Sequence, residues 1–68
     1  MEFNKLDIGK IIIVTLKRKI STIFQKDMTV FCEILSVEGD FKLTTPVRNT
    51  QQTFGKYYLE YLKSLQQL

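Results

Sequence analysis

Apolar and polar positions alternate along the chain in short runs separated by charged clusters, and the first run is the most telling. Lys10–Lys17 contains five consecutive β-branched residues, Ile11, Ile12, Ile13, Val14 and Thr15. Such side chains pack well on a pleated surface and lose rotamer freedom in a helix. Ile11 and Ile13 share one face, and Ile12, Val14 and Leu16 share the other, as in a strand covered on both sides. The pattern predicts a strand over about 10–17, a turn at Lys17-Arg18-Lys19, and a second strand over about 20–25. After a turn at Gln25-Lys26-Asp27 comes a third strand over about 28–37. It carries Val30, Cys32 and Ile34 opposite Phe31, Leu35 and Val37. Glu38-Gly39-Asp40 has the composition of a hairpin turn. A fourth strand over about 41–45 is closed by Pro46, which cannot donate to a ladder.

Beyond Pro46 the period changes. Phe54, Tyr58, Tyr61, Leu62, Leu65 and Leu68 recur at steps of three and four, with Lys56, Glu60, Lys63 and Gln67 between them. Asn49 or Thr50 is placed to cap a helix, and Gln52 follows Asn49 by three positions as in a capping box. This predicts an amphipathic helix over about 50–67. The expected fold is therefore α+β, a four-stranded antiparallel meander followed by one C-terminal helix. A second pattern competes in the first third of the chain. Ile8, Ile11, Ile12, Thr15, Leu16, Ile20, Ile23 and Phe24 also trace a helical stripe with Asp7 as its cap, which would give an α-β-β-α order instead.

Sixty-eight residues make one small domain, which buries only about 60% of the surface its unfolded chain exposes. A single cysteine and no histidine exclude an internal disulfide, a Ser-His or Cys-His pair and an imidazole base. Neither standard glycine-rich phosphate loop is present. Glu38 and Asp40 flank a turn glycine, where turn formation and solubility explain them, and Cys32 fits a small buried apolar side chain. The sequence reads as non-enzymatic, with no cofactor, no metal and no catalytic residue. Its longest uninterrupted apolar run is Ile11–Val14, whereas a spanning helix needs about 20 such residues. The opening Met-Glu-Phe-Asn-Lys lacks the basic region of a signal peptide. The expectation is a cytoplasmic protein without membrane contact.

The overall formal charge is +3, and it is unevenly spread. Residues 1–26 carry six cations against two acids, 27–45 one against four, and 46–68 three against one. Lys10, Lys17, Arg18 and Lys19 suit contacts to phosphates. Lys56 and Tyr57 could join them, because Tyr57 falls off the apolar stripe and could stack on an unpaired base. In a four-strand meander, however, the basic turn and the Glu38-Gly39-Asp40 turn would lie at one end of the sheet about 10 Å apart. The acids would then partly cancel the cations. One helix would also leave the second sheet face apolar, and a homodimer would cover it.

Gly9-Lys10 leading into an apolar strand, with a helix after Thr44-Thr45-Pro46, resembles in order the layout of small dimeric single-stranded-DNA-binding proteins. That resemblance implies a homodimer acting on nucleic acid. Two readings follow. In the first, the protein binds single-stranded DNA or RNA through Lys10, Lys17, Arg18, Lys19, Lys56 and Tyr57. In the second, it is a protein-interaction module, a small regulator or assembly subunit, that binds a larger protein through Phe31, Leu35 and Val37 or through Tyr58 and Tyr61.

Overall fold

The computed structural model describes residues 3–67 as one antiparallel sheet of five strands. The strands are β1 (Ile11–Leu16), β2 (Thr29–Ile34), β3 (Phe41–Thr44), β4 (Gln51–Phe54) and β5 (Leu62–Gln67), in the spatial order β4-β3-β2-β1-β5. Two 3₁₀ turns, Lys5–Asp7 and Lys56–Tyr61, supply the helical residues.

The expected C-terminal helix over about 50–67 is absent. Its residues form β4, the second 3₁₀ turn and β5, and with the helix goes the likeness in layout to the dimeric single-stranded-DNA-binding proteins. The physical reasons lie on both sides of the segment. Gly55 and the Tyr57-Tyr58 pair are weak helix formers, and Tyr58 and Tyr61, three apart, suit a 3₁₀ turn as well as an α-helix. More decisively, β1 has two edges of backbone donors and acceptors, and β2 satisfies only one. β5 satisfies the other, pairing Leu16 with Leu62 and Thr15 with Lys63, with a bulge opposite Ile13 and Val14. Leu65, read as a helix-stripe position, lies within this strand, while Leu68 lies outside the described residues.

The second correction falls at 20–25, expected as a strand and, in the alternative order, as the end of a helix. It is neither. The backbone N–H groups of Ile20 and Ser21 both donate to the Phe24 carbonyl, at 2.9 and 3.2 Å, and the Phe24 N–H donates to Ser21 Oγ at 3.3 Å. A serine that bonds its own neighbourhood competes with regular structure. The bend turns Phe24 inward to full burial, where its ring meets Phe54 edge-on at 5.9 Å.

One face of the sheet holds the core. Val14 and Leu16 of β1, Val30, Cys32 and Ile34 of β2, Phe41 and Leu43 of β3 and Phe54 of β4 are buried at alternate positions. Phe24 from the β1–β2 connection and Leu59 from the second 3₁₀ turn join this cluster. The opposite, outer face carries Ile11, Ile13 and Phe31 among threonines, with Glu33 and Lys42 paired at 3.1 Å across β2 and β3.

Candidate nucleic-acid interface at one end of the sheet

Strand order and antiparallel alternation decide which loops share an end. The exit of β1, the entry to β2, the β3–β4 loop and the entry to β5 all lie at the Leu16 end. The β2–β3 turn, the exit of β4 and the start of β1 lie at the Ile34 end. Because no strand forms at 20–25, the basic turn at 17–19 and the acidic turn at 38–40 fall at opposite ends of the ladders. The expected cancellation between them is overturned.

The charges sort by end. At the Leu16 end stand Lys17, Arg18, Lys19, Lys26, Arg48 and Lys63, against Asp27 and Glu60. At the Ile34 end, Lys5, Lys10 and Lys56 balance Asp7, Glu38 and Asp40. Lys42 and Glu33 neutralise each other between the two. Among the described residues the whole excess of positive charge therefore sits at one end. A potential concentrated in this way attracts polyanions far more than a dispersed charge of the same sum.

Aromatic rings adjoin these cations. The Lys17 N–H donates to the Tyr61 carbonyl at 2.7 Å, which brings the β1 exit against the second 3₁₀ turn. Tyr57, Tyr58 and Tyr61 form a contiguous group with ring centroids 5.1–6.3 Å apart. Tyr58 leans on Phe54 at 5.4 Å and ties the group to the core. Tyr57 is the outermost, 69% exposed. Its hydrogen-bonding interaction with Tyr61, followed by the charges of Tyr61 and Glu60, pushes its phenol above the ordinary value, so it remains neutral at physiological pH. The Arg18 guanidinium lies 5.1 Å over the Tyr61 ring and 3.8 Å from a Glu60 carboxylate oxygen. A cation over a ring at that distance is attracted by the ring quadrupole. The ion pair is exposed on both sides and contributes little.

Of the six residues that the sequence nominated for nucleic acid, Lys17, Arg18 and Lys19 lie together at this end, and Tyr57 is joined to them through its ring, 6.3 Å from that of Tyr61, over which Arg18 lies. Lys10 and Lys56 do not. Lys10 Nζ is held by Asp7 at 3.1 Å. Lys56 packs against the β2–β3 turn, where a Cβ on Gly39 would stand 2.7 Å from Lys56 Cβ. The five nominated interface residues also separate. Phe31 lies on the outer face, Leu35 and Val37 belong to the β2–β3 connection, and Tyr58 and Tyr61 belong to the tyrosine group.

Sequence reading missed Lys26, Arg48 and Lys63, which only the topology joins to the basic turn. It also missed a groove of about 470 Å³ at the same end, between Thr22, Ile23, Met28 and Thr29 on one lip and Thr45, Pro46, Val47 and Arg48 on the other. The available signal was Val47, an apolar residue set between Pro46 and Arg48 in a loop.

Among the described residues no three cysteine or acidic side chains stand close enough to hold a metal ion, and no helix is long and apolar enough to cross a membrane. Cys32 is buried mid-strand, and that burial pushes its thiol up to about 12. No family model, curated protein or solved structure matches this chain.

Proposed function

We propose that the protein is a small non-enzymatic binder of single-stranded nucleic acid, with the Leu16 end of the sheet as its working surface. The observation that carries this reading is the juxtaposition of Lys17, Arg18 and Lys19 with the exposed Tyr57 beside Tyr61. Cations meet phosphates of any sequence, and an exposed ring offers a stacking platform that every base can use. A duplex, whose bases are already stacked, gains nothing from Tyr57. The outer face, with Ile11 41% exposed beside Ile13 and Phe31, favours a homodimer that leaves the charged end free. The protein acts in the cytoplasm, where Cys32 stays reduced.

Fluorescence anisotropy with a short oligothymidylate and with a duplex of equal length tests the reading. The single strand binds more tightly. Tyr57→Ala weakens it by roughly 5- to 100-fold, the range for loss of one stacked base, and leaves duplex affinity unchanged. Equal affinity for both forms, indifferent to Tyr57, contradicts the proposal. Light scattering after size exclusion tests the dimer separately.

A further inference from the structure

The groove between the β1–β2 connection and the β3–β4 loop lies outside the tyrosine group, and nothing above assigns it a ligand. Both lips are held in place. On one, the Thr45 N–H donates to the Thr50 carbonyl at 2.9 Å, and the Thr50 N–H donates to Thr45 Oγ1 at 3.2 Å. These bonds fix the loop that presents Pro46, Val47 and Arg48. On the other, Gln25 Nε2 donates to the Thr22 carbonyl at 3.0 Å and the Asp27 N–H donates to the Leu16 carbonyl at 2.8 Å.

What these bonds hold up is apolar and exposed. Val47 is 91% exposed at its hairpin tip and Ile23 is 46% exposed facing it. Together with Pro46 they give the groove an apolar lining open to solvent, which is where an apolar ligand surface can be buried. The lining joins these aliphatic side chains and Pro46 to the hydroxyls of Thr22 and Thr29 and to one cation, Arg48, and contains no acid. Arg48 makes no ion pair among the described residues. The groove shares an end of the sheet with Tyr61. The Leu16 N–H donates to the Met28 carbonyl on one side of β1 while the Lys17 N–H donates to the Tyr61 carbonyl on the other, so the backbones of Met28, on the groove's lip, and Tyr61 flank the same strand end about 10 Å apart.

We infer that this groove takes an unstacked nucleobase of the same bound strand, with Arg48 on the phosphate beside it. The inference rests on the single-strand reading and adds a second base site to it. Aliphatic walls receive the faces of the base, threonine hydroxyls meet its edge, and the cationic rim suits an anionic chain and repels a basic one. A strand running from Tyr57 past Lys17 to Arg48 would meet cations along its whole path.

The test uses the full chain and two probes, an oligothymidylate and the same strand with its bases removed at alternate positions. Two exposed positions are changed separately, Val47→Asp and Arg48→Glu, with Lys17→Glu as the reference for the basic surface. The groove variants are expected to weaken the oligothymidylate by about 10-fold, within the range for one stacked base, and to affect the abasic strand much less for Val47→Asp than for Arg48→Glu. Amide spectra of Thr29 and Arg48 shift on adding the oligothymidylate. Normal binding by Val47→Asp, with Lys17→Glu impaired, overturns the groove and leaves the single-strand reading standing. Loss of binding by none of the three variants, or no binding by the parent, overturns both. Groove shifts produced by an acidic apolar peptide and not by the oligothymidylate would give the groove to a protein partner instead.

Discussion

The two ends of this sheet are built from the same strands and serve opposite purposes. At the Ile34 end most polar groups of the turns are tied to one another, although Leu6 and Ile8 are exposed there. Ser36 Oγ donates to Asp40 Oδ2 at 3.0 Å and accepts from the Asp40 N–H at 3.2 Å. Asn4 caps the first 3₁₀ turn, with Asp7 returning the bond to the Asn4 N–H. Lys10 is paired, and Gly39 lies so close to Leu59 and Lys56 that no side chain fits there. Opposite charges balance. At the Leu16 end the loops are also internally hydrogen-bonded, yet they hold an exposed tyrosine, an exposed valine and most of the cations outward. A fold that spends its loop bonds on internal closure at one end and on presentation at the other separates stability from binding. Substitutions should therefore divide in the same way.

The largest effect is expected where the two ends share material. Phe24 leaves the connection that carries Lys19 and Ile23 and plugs the common core. Phe24→Ala should cost about 3–5 kcal/mol, measured by chemical denaturation, and should loosen the cationic end with it. Next comes Gly39, at φ +114, where a Cβ would approach Leu59 Cδ1 to 2.6 Å. Gly39→Ala combines a disallowed backbone with overpacking, and should cost roughly 2–4 kcal/mol. Lys56 and Leu59, which this Cβ would displace, belong to the 3₁₀ turn that carries Tyr57, so oligonucleotide affinity of the remaining folded fraction should fall as well. Unchanged affinity would remove Tyr57 from the binding surface.

Those two positions also mark how far the sequence could be read. The β-branched run at Ile11–Leu16 was legible as a strand because its chemistry is local, and β2 and β3 lie within the stretches expected for them. Gly39 was legible as a turn. Phe24 was not, because only the tertiary fold shows an apolar residue in a strand-like run bending inward as a plug. The tail misled for a related reason. Phe54, Tyr58, Tyr61 and Leu62 satisfy a helical period, but the demand that shapes them is the free edge of β1, sequence-distant and invisible to periodicity. The β-branched run of β1 marks a strand, but nothing local to it says which segment pairs with its second edge. The site followed the fold. Lys17, Arg18 and Lys19 were legible as a group, whereas Lys26, Arg48 and Lys63 joined them only once the strand order was known.

Smaller effects sharpen the contrast. Cys32, with its thiol pushed up to about 12 by burial, should resist a disulfide reagent at neutral pH and react only as fast as the protein opens. Fast labelling in the native state would show that the core is not closed. The smallest effect belongs to Asp7, whose carboxyl is held below its ordinary value by the hydrogen bond with Lys10 and then by the Asn4 N–H. A lowered folded-state value gives stability that is present above the ordinary carboxylate range near 3.8 and lost as the pH falls through the lowered value. Asp7→Asn should lower the thermal midpoint slightly at neutral pH, and the difference from the parent should vanish in acid.

The division between the ends is tested most directly by reversing charge at each in turn. One variant carries Lys17→Glu, Arg18→Glu and Lys19→Glu, and the other carries Lys5→Glu, Lys10→Glu and Lys56→Glu, so that both lose the same net charge. Oligothymidylate affinity is then measured by anisotropy from about 50 to 200 mM salt. The parent should weaken with a logarithmic slope of about −2 to −3, as for three or four single-strand phosphates. The first variant should lose roughly 30- to 100-fold and most of that slope. The second should lose much less, and only through Lys56, which precedes Tyr57 in the same turn. Equal losses in the two variants would mean that binding follows net charge alone and that neither end is a site.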